Sequence, residues 1–427
     1  MRDDTRAWIE ADKKHCWHPF TPQDQWETSE PLVLVRGEGV WLWDSEGRKY
    51  LDGNSSIWTN IHGHNHPEIN AAMIRQLNEV CHTSYLGFAN PRASELAEKL
   101  CSYFPDGTLE RVFFSDNGST AIESAMKMAI QYRQLTNNPE RNGFIAFDQA
   151  YHGDTMGAAS LGGVSRFHDR FRKHGASVHF VSDIAALESL SPDIVKSTAA
   201  VVIEPLIQGV NEMRLWPAGM LTELRNWCDT HGVQLILDEV MTGFGRTGKM
   251  FACQHEDIIP DYLCVAKGIT GGYLPLAAML TTNRIYTAFL GADDRAFYYG
   301  HSFTGNPLGC AAALASLDIF NQQKTLDTLQ PKIELMATLL QELSDSTPLV
   351  HEVRQCGFIA GIEFRQGNGT PFPPEQKFGS NFCVAARAQG LLTRAIRDTV
   401  VLMPPLCISD EDLKSAVAAI AISSRPS

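Results

Sequence analysis

The sequence predicts an α/β fold with a mostly parallel central sheet covered by helices on both faces. Short apolar runs rich in β-branched and aromatic residues recur along the middle of the chain, and helical patterns lie between several of them. Strands that alternate with helices in this way form parallel sheets that are buried on both sides. Seven such runs read as buried strands: 111–115, 144–147, 177–181, 199–204, 233–238, 262–266 and 276–282.

Two segments between these runs have the spacing of helices. Residues 119–135 repeat Ala, Ile and Met at helical intervals, and residues 217–232 end at a glycine that can adopt a positive φ. In sheets of this type, ligands bind at the carboxyl ends of the strands. We therefore look for functional residues directly after the strands.

The ends of the chain have a different pattern. Residues 31–53 read as a β-meander with glycine turns, and residues 351–364 read as two short strands around a glycine turn. We predict a small α+β domain made of residues 1–60 and 324–427, and a large α/β domain made of residues 61–323. The segment 365–376, rich in Pro and Gly, is predicted to be a surface loop.

Composition excludes several classes of protein. The 427 residues carry a net charge of −13, which argues against nucleic acid as the main partner. None of the ten cysteines forms a C-x-x-C pair, so a zinc site is not expected. The charged N-terminus has no apolar signal-peptide core and no apolar run is long enough to span a bilayer, so we expect a cytoplasmic protein.

A glycine-rich segment at 238–250, DEVMTGFGRTGKM, superficially resembles two nucleotide-binding motifs. A P-loop needs Ser or Thr after Gly248-Lys249, but Met250 stands there. A dinucleotide fingerprint needs a helix to begin at the third glycine, and the residues that follow are a poor helix start. We expect neither function.

The residues at the ends of two strands indicate a cofactor. Asp238 ends one buried strand, and Lys267 follows another about thirty residues later. A pyridoxal phosphate enzyme needs such a pair, because the lysine forms a Schiff base and the acid keeps the pyridine nitrogen protonated. The same two residues could equally form a salt bridge between neighbouring strand ends.

A phosphate site is predicted at residues 115–124, SDNGSTAIES. Here a strand is followed by the turn Asn117-Gly118-Ser119 and then by a long helix, whose N-terminus attracts anions. The alternative is an ordinary helix cap, formed by Ser119 or Thr120 with Glu123 nearby. The two interpretations are compatible.

Several segments together resemble the class III, or ω, aminotransferases, which have pyridoxal phosphate fold type I. They are IEPLIQG, LDEVMTGFGRTGKMFACQH, AKGITGG and GHSFTGNPLGCAA, and the resemblance covers nearly the whole chain. It implies pyridoxal 5'-phosphate as cofactor and a homodimer with shared active sites. It assigns Lys267, Asp238 and Tyr151 to catalysis. It adds as cofactor-binding residues Gly118, Ser119, Val240, His301 and Ser302, with Ser302 serving the phosphate of the neighbouring subunit.

Four further segments resemble one subgroup of this class: HCWHPFT, DGNSSIWTNIHGHNHP, AYHGDTMGA and LMPPL. That subgroup transfers an amino group to 8-amino-7-oxononanoate in biotin biosynthesis, by a ping-pong mechanism that gives 7,8-diaminononanoate. The resemblance implies that the substrate contacts Tyr151, Lys267 and the following residues: Phe20, Ile57, Trp58, Gly300 and Arg394, with Trp17 as a further wall. Arg394 would receive the carboxylate.

Three positions depart from the common pattern of the subgroup. Phe20 and Ile57 replace a Tyr and a Trp that accommodate adenosylmethionine, and they look more like variants that use lysine as amino donor. Arg397 stands where Gly is common. The donor therefore stays open between adenosylmethionine and lysine.

The chain and some of its residues allow other interpretations. Another ω-amine aminotransferase is the nearest rival, an aminomutase of the same fold is more remote, and a non-enzymatic binding module has no use for the lysine.

An aromatic such as Tyr151 after a strand is more often core, but its neighbours favour a site. No metal is expected at His62, His64 and His66, because no carboxylate or Cys nearby completes a ligand set. Arg246 is expected to form structural ion pairs.

Overall fold

Helices and strands alternate through residues 1–425, the part of the chain that the computed structural model describes. The elements of the first half are α1 (Asp3–His15), α2 (Gln23–Thr28), β1 (Leu34–Glu38), β2 (Trp41–Asp44), β3 (Lys49–Asp52), α3 (Ser55–Trp58), α4 (Pro67–Glu79), α5 (Pro91–Cys101), β4 (Leu109–Ser115), α6 (Gly118–Leu135), β5 (Gly143–Phe147), α7 (Met156–Ser160), α8 (Ser165–Arg172), β6 (Val178–Val181), α9 (Ile184–Glu188), α10 (Pro192–Ser197) and β7 (Thr198–Ile203).

The second half continues the alternation and ends in a helix. Its elements are β8 (Ile207–Gln208), β9 (Arg214–Leu215), α11 (Met220–His231), β10 (Gln234–Asp238), β11 (Tyr262–Val265), β12 (Ala277–Thr282), α12 (Asn283–Ala288), α13 (Pro307–Gln322), α14 (Thr325–Ser346), β13 (Val350–Cys356), β14 (Ile359–Phe364), α15 (Phe378–Ala388), β15 (Leu391–Leu392), β16 (Arg394–Ile396), β17 (Thr399–Leu402) and α16 (Asp410–Ser423).

The central sheet has seven strands in the order β4-β12-β11-β10-β7-β5-β6. Only β12 runs against the others, pairing antiparallel with β4 and β11. All seven predicted strands and both predicted helices are present, so the predicted fold class is confirmed. The strands are continuous apolar runs because helices cover both faces.

Alternate residues of the inner strands face two different hydrophobic clusters. Val201 and Leu235 pack in one cluster with Leu224 of α11, while Val202 belongs to the other with Ile122 of α6. This alternation follows from the two-residue period of a strand. It keeps the sheet rigid, so the loops at its carboxyl edge have a fixed base.

Strands from the two ends of the chain pair with each other outside the central sheet. β15 runs parallel to β3, which completes a four-stranded sheet with β1 and β2. A second small sheet has the order β13-β14-β17-β16. The division of the chain at residues 60 and 324 stays a prediction.

Two details of the sequence interpretation were wrong. The cap of α6 is Asn117, whose side chain accepts from the Thr120 N–H at 3.0 Å, and Glu123 instead accepts from the Thr155 hydroxyl at 2.8 Å. Asn117 has the extended backbone that a capping residue needs, and it lies one turn before Thr120. Arg246 forms no ion pair within the described residues. It is buried and donates to the Pro404 carbonyl at 2.6 Å.

No helix begins at Gly248, the third glycine of the segment 238–250. After Asp238 the chain forms turns, and the next helical element is a short 3₁₀ turn at Ala252–His255. Gly245 and Gly248 have φ of 83° and 95°, which other residues adopt only with strain. Within residues 1–425 no helix is both long and apolar enough to cross a membrane.

Candidate active site

A cavity lies at the carboxyl edge of the central sheet, where the loops after β4, β5, β7, β10 and β11 meet. It brings together six of the predicted cofactor residues: Gly118, Ser119, Tyr151, Asp238, Val240 and Lys267. It is also lined by residues that the sequence did not single out: His152, Gly153, Glu204, Val210, Met241 and Thr242. Trp58 completes the wall.

The Lys267 amine lies in this cavity at the end of β11. Its backbone has a φ of 48°, in the left-handed region that a non-glycine residue rarely occupies. Burial lowers the pKa of the ammonium to about 8, although the charges of Asp238 and Glu204 oppose that shift. A larger fraction of the amine is therefore neutral near pH 8 than for an exposed lysine.

Asp238 is held by its neighbours and not by Lys267. One carboxylate oxygen lies 2.8 Å from the His152 Nδ1, and the other accepts from the Val240 N–H at 3.1 Å. Within the described residues His152 is the only basic side chain within 4.0 Å of the Asp238 carboxylate, so the alternative of a salt bridge to Lys267 does not apply. The carboxylate stays fixed at the cavity wall, where it can face a cationic ring nitrogen.

His152 lines the cavity and contacts Asp238, which the sequence did not reveal. Its side chain is completely buried, and its Nε2 atom has no partner in the described structure. The signal was present in AYHGDTMGA, but nothing in the sequence shows that this loop approaches Asp238. The long-range contact depends on β5 and β10 lying on either side of β7.

Glu204 is a second residue that the sequence analysis missed. It lies after β7 and is fully buried, and burial raises its pKa to about 7. Its carboxylate accepts from the Tyr151 N–H at 3.1 Å and from the Gly209 N–H at 2.9 Å. Glu204 therefore fixes the loop that carries Tyr151.

Tyr151 forms one side of the cavity. Its hydroxyl donates to Asp154 at 2.6 Å, and burial together with this hydrogen bond raises the pKa of the phenol. The ring packs edge-on against Phe167, with the centroids 6.4 Å apart. Tyr151 therefore lines a cavity, as the residues beside it in the sequence indicated, and is not a core residue.

The N-terminus of α6 approaches the cavity through glycines. A Cβ on Gly118 would lie 2.7 Å from the Val240 side chain, and a Cβ on Gly153 would lie 2.2 Å from the Ser119 hydroxyl. The Ser119 hydroxyl accepts from the Asp154 N–H at 3.0 Å. Backbone N–H groups at a helix N-terminus that no side chain can cover suit a phosphate group.

A wider cavity adjoins the first and contains most of the predicted substrate residues. Trp58, Tyr151, Val210 and Lys267 line both cavities, and the second is also lined by Phe20, Ile57, Phe167, Glu212, Arg394 and Arg397. Phe20 and Phe167 meet edge-on, with the centroids 5.4 Å apart. Phe167 was not predicted as a cavity residue, because the sequence of α8, which contains it, has no motif that indicates a binding site.

Ile57 and Trp58 reach this cavity from an unusual turn. All four residues of α3, Ser55–Trp58, have positive φ between 46° and 69°, so the turn is left-handed. The Trp58 indole donates to the Asn54 side chain at 2.9 Å, and the Lys267 amine lies 4.7 Å from the centre of the Trp58 ring. Such strain persists only where the surroundings fix it, and it concentrates at functional sites.

Some predicted site residues lie outside these cavities. Trp17 is 85% exposed and lines neither of them. Gly300, His301 and Ser302 also line neither of them in the single chain. His301 lies 3.3 Å from Asp116, next to the start of α6.

The three neighbouring histidines have other partners. The His62 Nε2 lies 3.1 Å from the Ser316 hydroxyl, and the His64 Nε2 lies 2.9 Å from the Asp52 carboxylate. Burial lowers the pKa of His62 to about 3. Among residues 1–425 no group of three or more His, Cys, Asp or Glu side chains is placed to hold a metal ion.

The family model "Aminotransferase class-III" matches residues 23–422. The chain is a class III aminotransferase. A protein of Nitratidesulfovibrio vulgaris named adenosylmethionine-8-amino-7-oxononanoate aminotransferase is 45% identical over 95% of this chain and 79% of its own length. A protein of the same name from Geobacter sulfurreducens is 44% identical over 96% of this chain and 95% of its own length.

Solved structures agree with this aminotransferase fold. The crystal structure of adenosylmethionine-8-amino-7-oxononanoate aminotransferase from Methanocaldococcus jannaschii has a TM-score of 0.95 at 38% identity, covering 98% of this chain and 99% of that one. An amine transaminase from an uncultivated Pseudomonas species in its PLP-bound form has a TM-score of 0.90 at 32% identity. The match covers 96% of this chain and 98% of that one.

The cofactor of this aminotransferase is pyridoxal 5'-phosphate. The residues of the cavity fit it. The amine of Lys267 suits the aldehyde, the carboxylate of Asp238 suits a protonated ring nitrogen, and the glycine-lined start of α6 suits the phosphate. The orphaned Nε2 of His152 marks the same wall as polar.

The lowered pKa of Lys267 predicts its reactivity in the apoprotein. Only the neutral amine reacts with an acylating reagent, so labelling of Lys267 should rise with pH and reach half its maximum near pH 8. Exposed lysines should require a pH about two units higher. Mass spectrometry of peptides labelled across pH 6–11 measures both. Prior addition of pyridoxal phosphate should protect Lys267, and a midpoint equal to that of exposed lysines would contradict the environment described here.

The close contact at Gly118 predicts a second result. Gly118→Ala should weaken the binding of pyridoxal phosphate by tenfold or more, on the order of 1.4 kcal/mol, because its Cβ would displace Val240. Absorbance titration of the apoprotein measures the affinity. Gly367→Ala is the matched control, since a Cβ there meets nothing within 4 Å. Equal affinity of the two variants would show that the glycine is dispensable.

Proposed function

We propose that this aminotransferase converts 8-amino-7-oxononanoate into 7,8-diaminononanoate in biotin biosynthesis. The observation that carries the proposal is a single cavity lined by both the buried Lys267 amine and the exposed Arg394 side chain. The names of the relatives at 44% and 45% identity support it. The donor is adenosylmethionine, as those names state, or lysine.

The shape and chemistry of the cavity suit this acceptor. A nine-carbon chain needs apolar walls, which Phe20, Ile57 and Trp58 supply. Its terminal carboxylate needs a cation, and the guanidinium of Arg394 can hold two carboxylate oxygens at once. Tyr151 closes the side of the cavity that lies nearest to Lys267.

We assign the chemistry to the following residues. When bound, pyridoxal phosphate supplies an aldehyde for the amine and a ring that accepts electrons. Lys267 removes a proton from the carbon that carries the donor's amino group and later delivers one to the acceptor carbon, for which its lowered pKa is suitable. Asp238 keeps the ring nitrogen protonated. His152 positions Asp238, and Glu204 positions Tyr151.

We further propose a homodimer with shared active sites. Gly300, His301 and Ser302 line neither cavity of their own chain. In a dimer, Ser302 would offer its hydroxyl to the phosphate held by the partner, and Gly300 would border the partner's substrate cavity. We also propose a cytoplasmic location, which the free state of all ten cysteines supports.

One specific similarity favours a second candidate function. An (S)-enantioselective ω-transaminase from Thermomicrobium roseum has a TM-score of 0.93 at 34% identity, covering 98% of each chain. This candidate is an amine transaminase that accepts simple amines. In this candidate the amine carries no carboxylate, so the Arg394 side chain would serve only the keto acid that accepts the amino group.

A product assay tests the proposal. Purified holoenzyme incubated with 8-amino-7-oxononanoate and either adenosylmethionine or lysine should form 7,8-diaminononanoate, measured by mass spectrometry. Lys267→Ala should form none. Arg394→Gln should raise KM for 8-amino-7-oxononanoate by about tenfold or more, since a charged hydrogen bond of roughly 1.5–3 kcal/mol is lost. Transfer from simple amines to a keto acid without any diaminononanoate would favour the second candidate.

A further inference from the structure

The outer end of the substrate cavity carries a carboxylate as well as cations. Glu212 lines the cavity together with Arg394 and Arg397. The Arg397 Nη1 lies 3.3 Å from one oxygen of Glu212. This end of the cavity therefore presents two guanidinium groups and one carboxylate.

A buried network fixes the position of Glu212. Its second carboxylate oxygen accepts from the Thr399 hydroxyl at 3.3 Å, and its backbone carbonyl accepts from the Arg354 Nε at 2.9 Å. Arg354 also donates to the Thr399 hydroxyl at 3.2 Å. Both Arg354 and Thr399 are buried, so the network holds the carboxylate at the cavity from behind.

The backbone at both partners of the ion pair is strained. Glu212 and Met213 have φ of 56° and 57°, and Arg397 has φ of 53°. Residues with side chains adopt this region rarely, and the surroundings must hold them there. The fold therefore keeps both charged side chains at the cavity against the preference of the local backbone.

The proposed acceptor does not account for Glu212. The far end of 8-amino-7-oxononanoate carries only a carboxylate, which needs one cation and no anion. A ligand whose far end carries both an ammonium and a carboxylate would match the full set. Its carboxylate would bind the guanidinium groups, and its ammonium would bind Glu212.

We propose that Glu212 and Arg397 bind the α-ammonium and α-carboxylate of a diamino acid, such as lysine, that donates its distal primary amine. This inference rests on the proposed function and names the donor class. The distal carbon is oxidised to an aldehyde, and its amino group with two electrons passes by way of pyridoxal phosphate to the 7-oxo carbon of the acceptor. The α-amino acid group keeps its charges throughout.

Adenosylmethionine does not match this arrangement. Its only primary aliphatic amine is on the same carbon as its carboxylate, so both groups lie beside Lys267 during transfer. Its sulfonium is a cation but has no N–H to donate to Glu212, and the adenosine beyond it has no carboxylate for Arg397. Phe20 and Ile57 also line this cavity, and their exposed fractions in the single chain are 55% and 48%.

The test follows the donor half-reaction alone, as the loss of the holoenzyme's visible absorbance after mixing with donor. Three donors isolate the charges: lysine, 6-aminohexanoate, which lacks the α-ammonium, and 1,5-diaminopentane, which keeps that ammonium but lacks the carboxylate. Glu212→Gln should lower kcat/KM for lysine by about tenfold or more and leave 6-aminohexanoate within about twofold. Glu38→Gln, which removes a comparable ion pair with Arg36 on the surface, is the matched control.

A second variant tests the other half of the pair. Arg397→Gly suits the positive φ and should lower kcat/KM for lysine and 6-aminohexanoate while leaving 1,5-diaminopentane unchanged. An equal loss with all three donors in both variants would show a purely structural role and overturn the inference, as would unchanged use of lysine. Faster reaction of the wild-type enzyme with adenosylmethionine than with lysine would also overturn it. Only a failure to aminate 8-amino-7-oxononanoate with every donor would count against the proposed function itself.

Discussion

The parallel pairing of β10 with β11 is the constraint on which the active site depends. It sets Ile236 beside Tyr262 and Asp238 beside Cys264, so Asp238 and Lys267 emerge at the same edge of the sheet. If the two groups joined in a salt bridge, neither would be free to act. His152 prevents this by holding Asp238, and burial favours the neutral form of the Lys267 amine. The same scaffold thus places a hydrogen-bonded carboxylate and a buried amine of lowered pKa within one cavity.

The charges along the cavity are arranged in two separate groups. The inner group surrounds Lys267 and consists of buried side chains whose hydrogen bonds are to each other or to the backbone, which keeps them rigid in a medium of low dielectric. The outer group, around Arg394, is exposed to solvent and offers charges of both signs. Apolar side chains, among them Ile57 and Trp58, line the same cavity. This arrangement suits substrates with a reacting amine or ketone at one end and charge at the other.

Much of the fold was predictable from the sequence, because strands buried on both faces are continuous apolar runs and their ends mark the ligand edge. The positions of Asp238 and Lys267 at that edge were predictable for the same reason, and their catalytic roles stay a prediction. His152 and Glu204 were not, since their roles depend on contacts across the sheet that no local pattern records. The cap of α6 was misplaced by two or three residues because Asn117, Ser119 and Thr120 are all good capping residues. The ion pair expected for Arg246 was wrong because its guanidinium is buried against a backbone carbonyl.

A crystal structure of the protein with pyridoxal phosphate bound tests the central claim most directly. The account predicts a covalent link from the Lys267 Nζ to the cofactor, and a ring nitrogen within about 2.7–3.2 Å of the Asp238 carboxylate. It also predicts that His152 keeps its contact with Asp238. A cofactor linked to a different lysine, or a ring nitrogen facing away from Asp238, would contradict it.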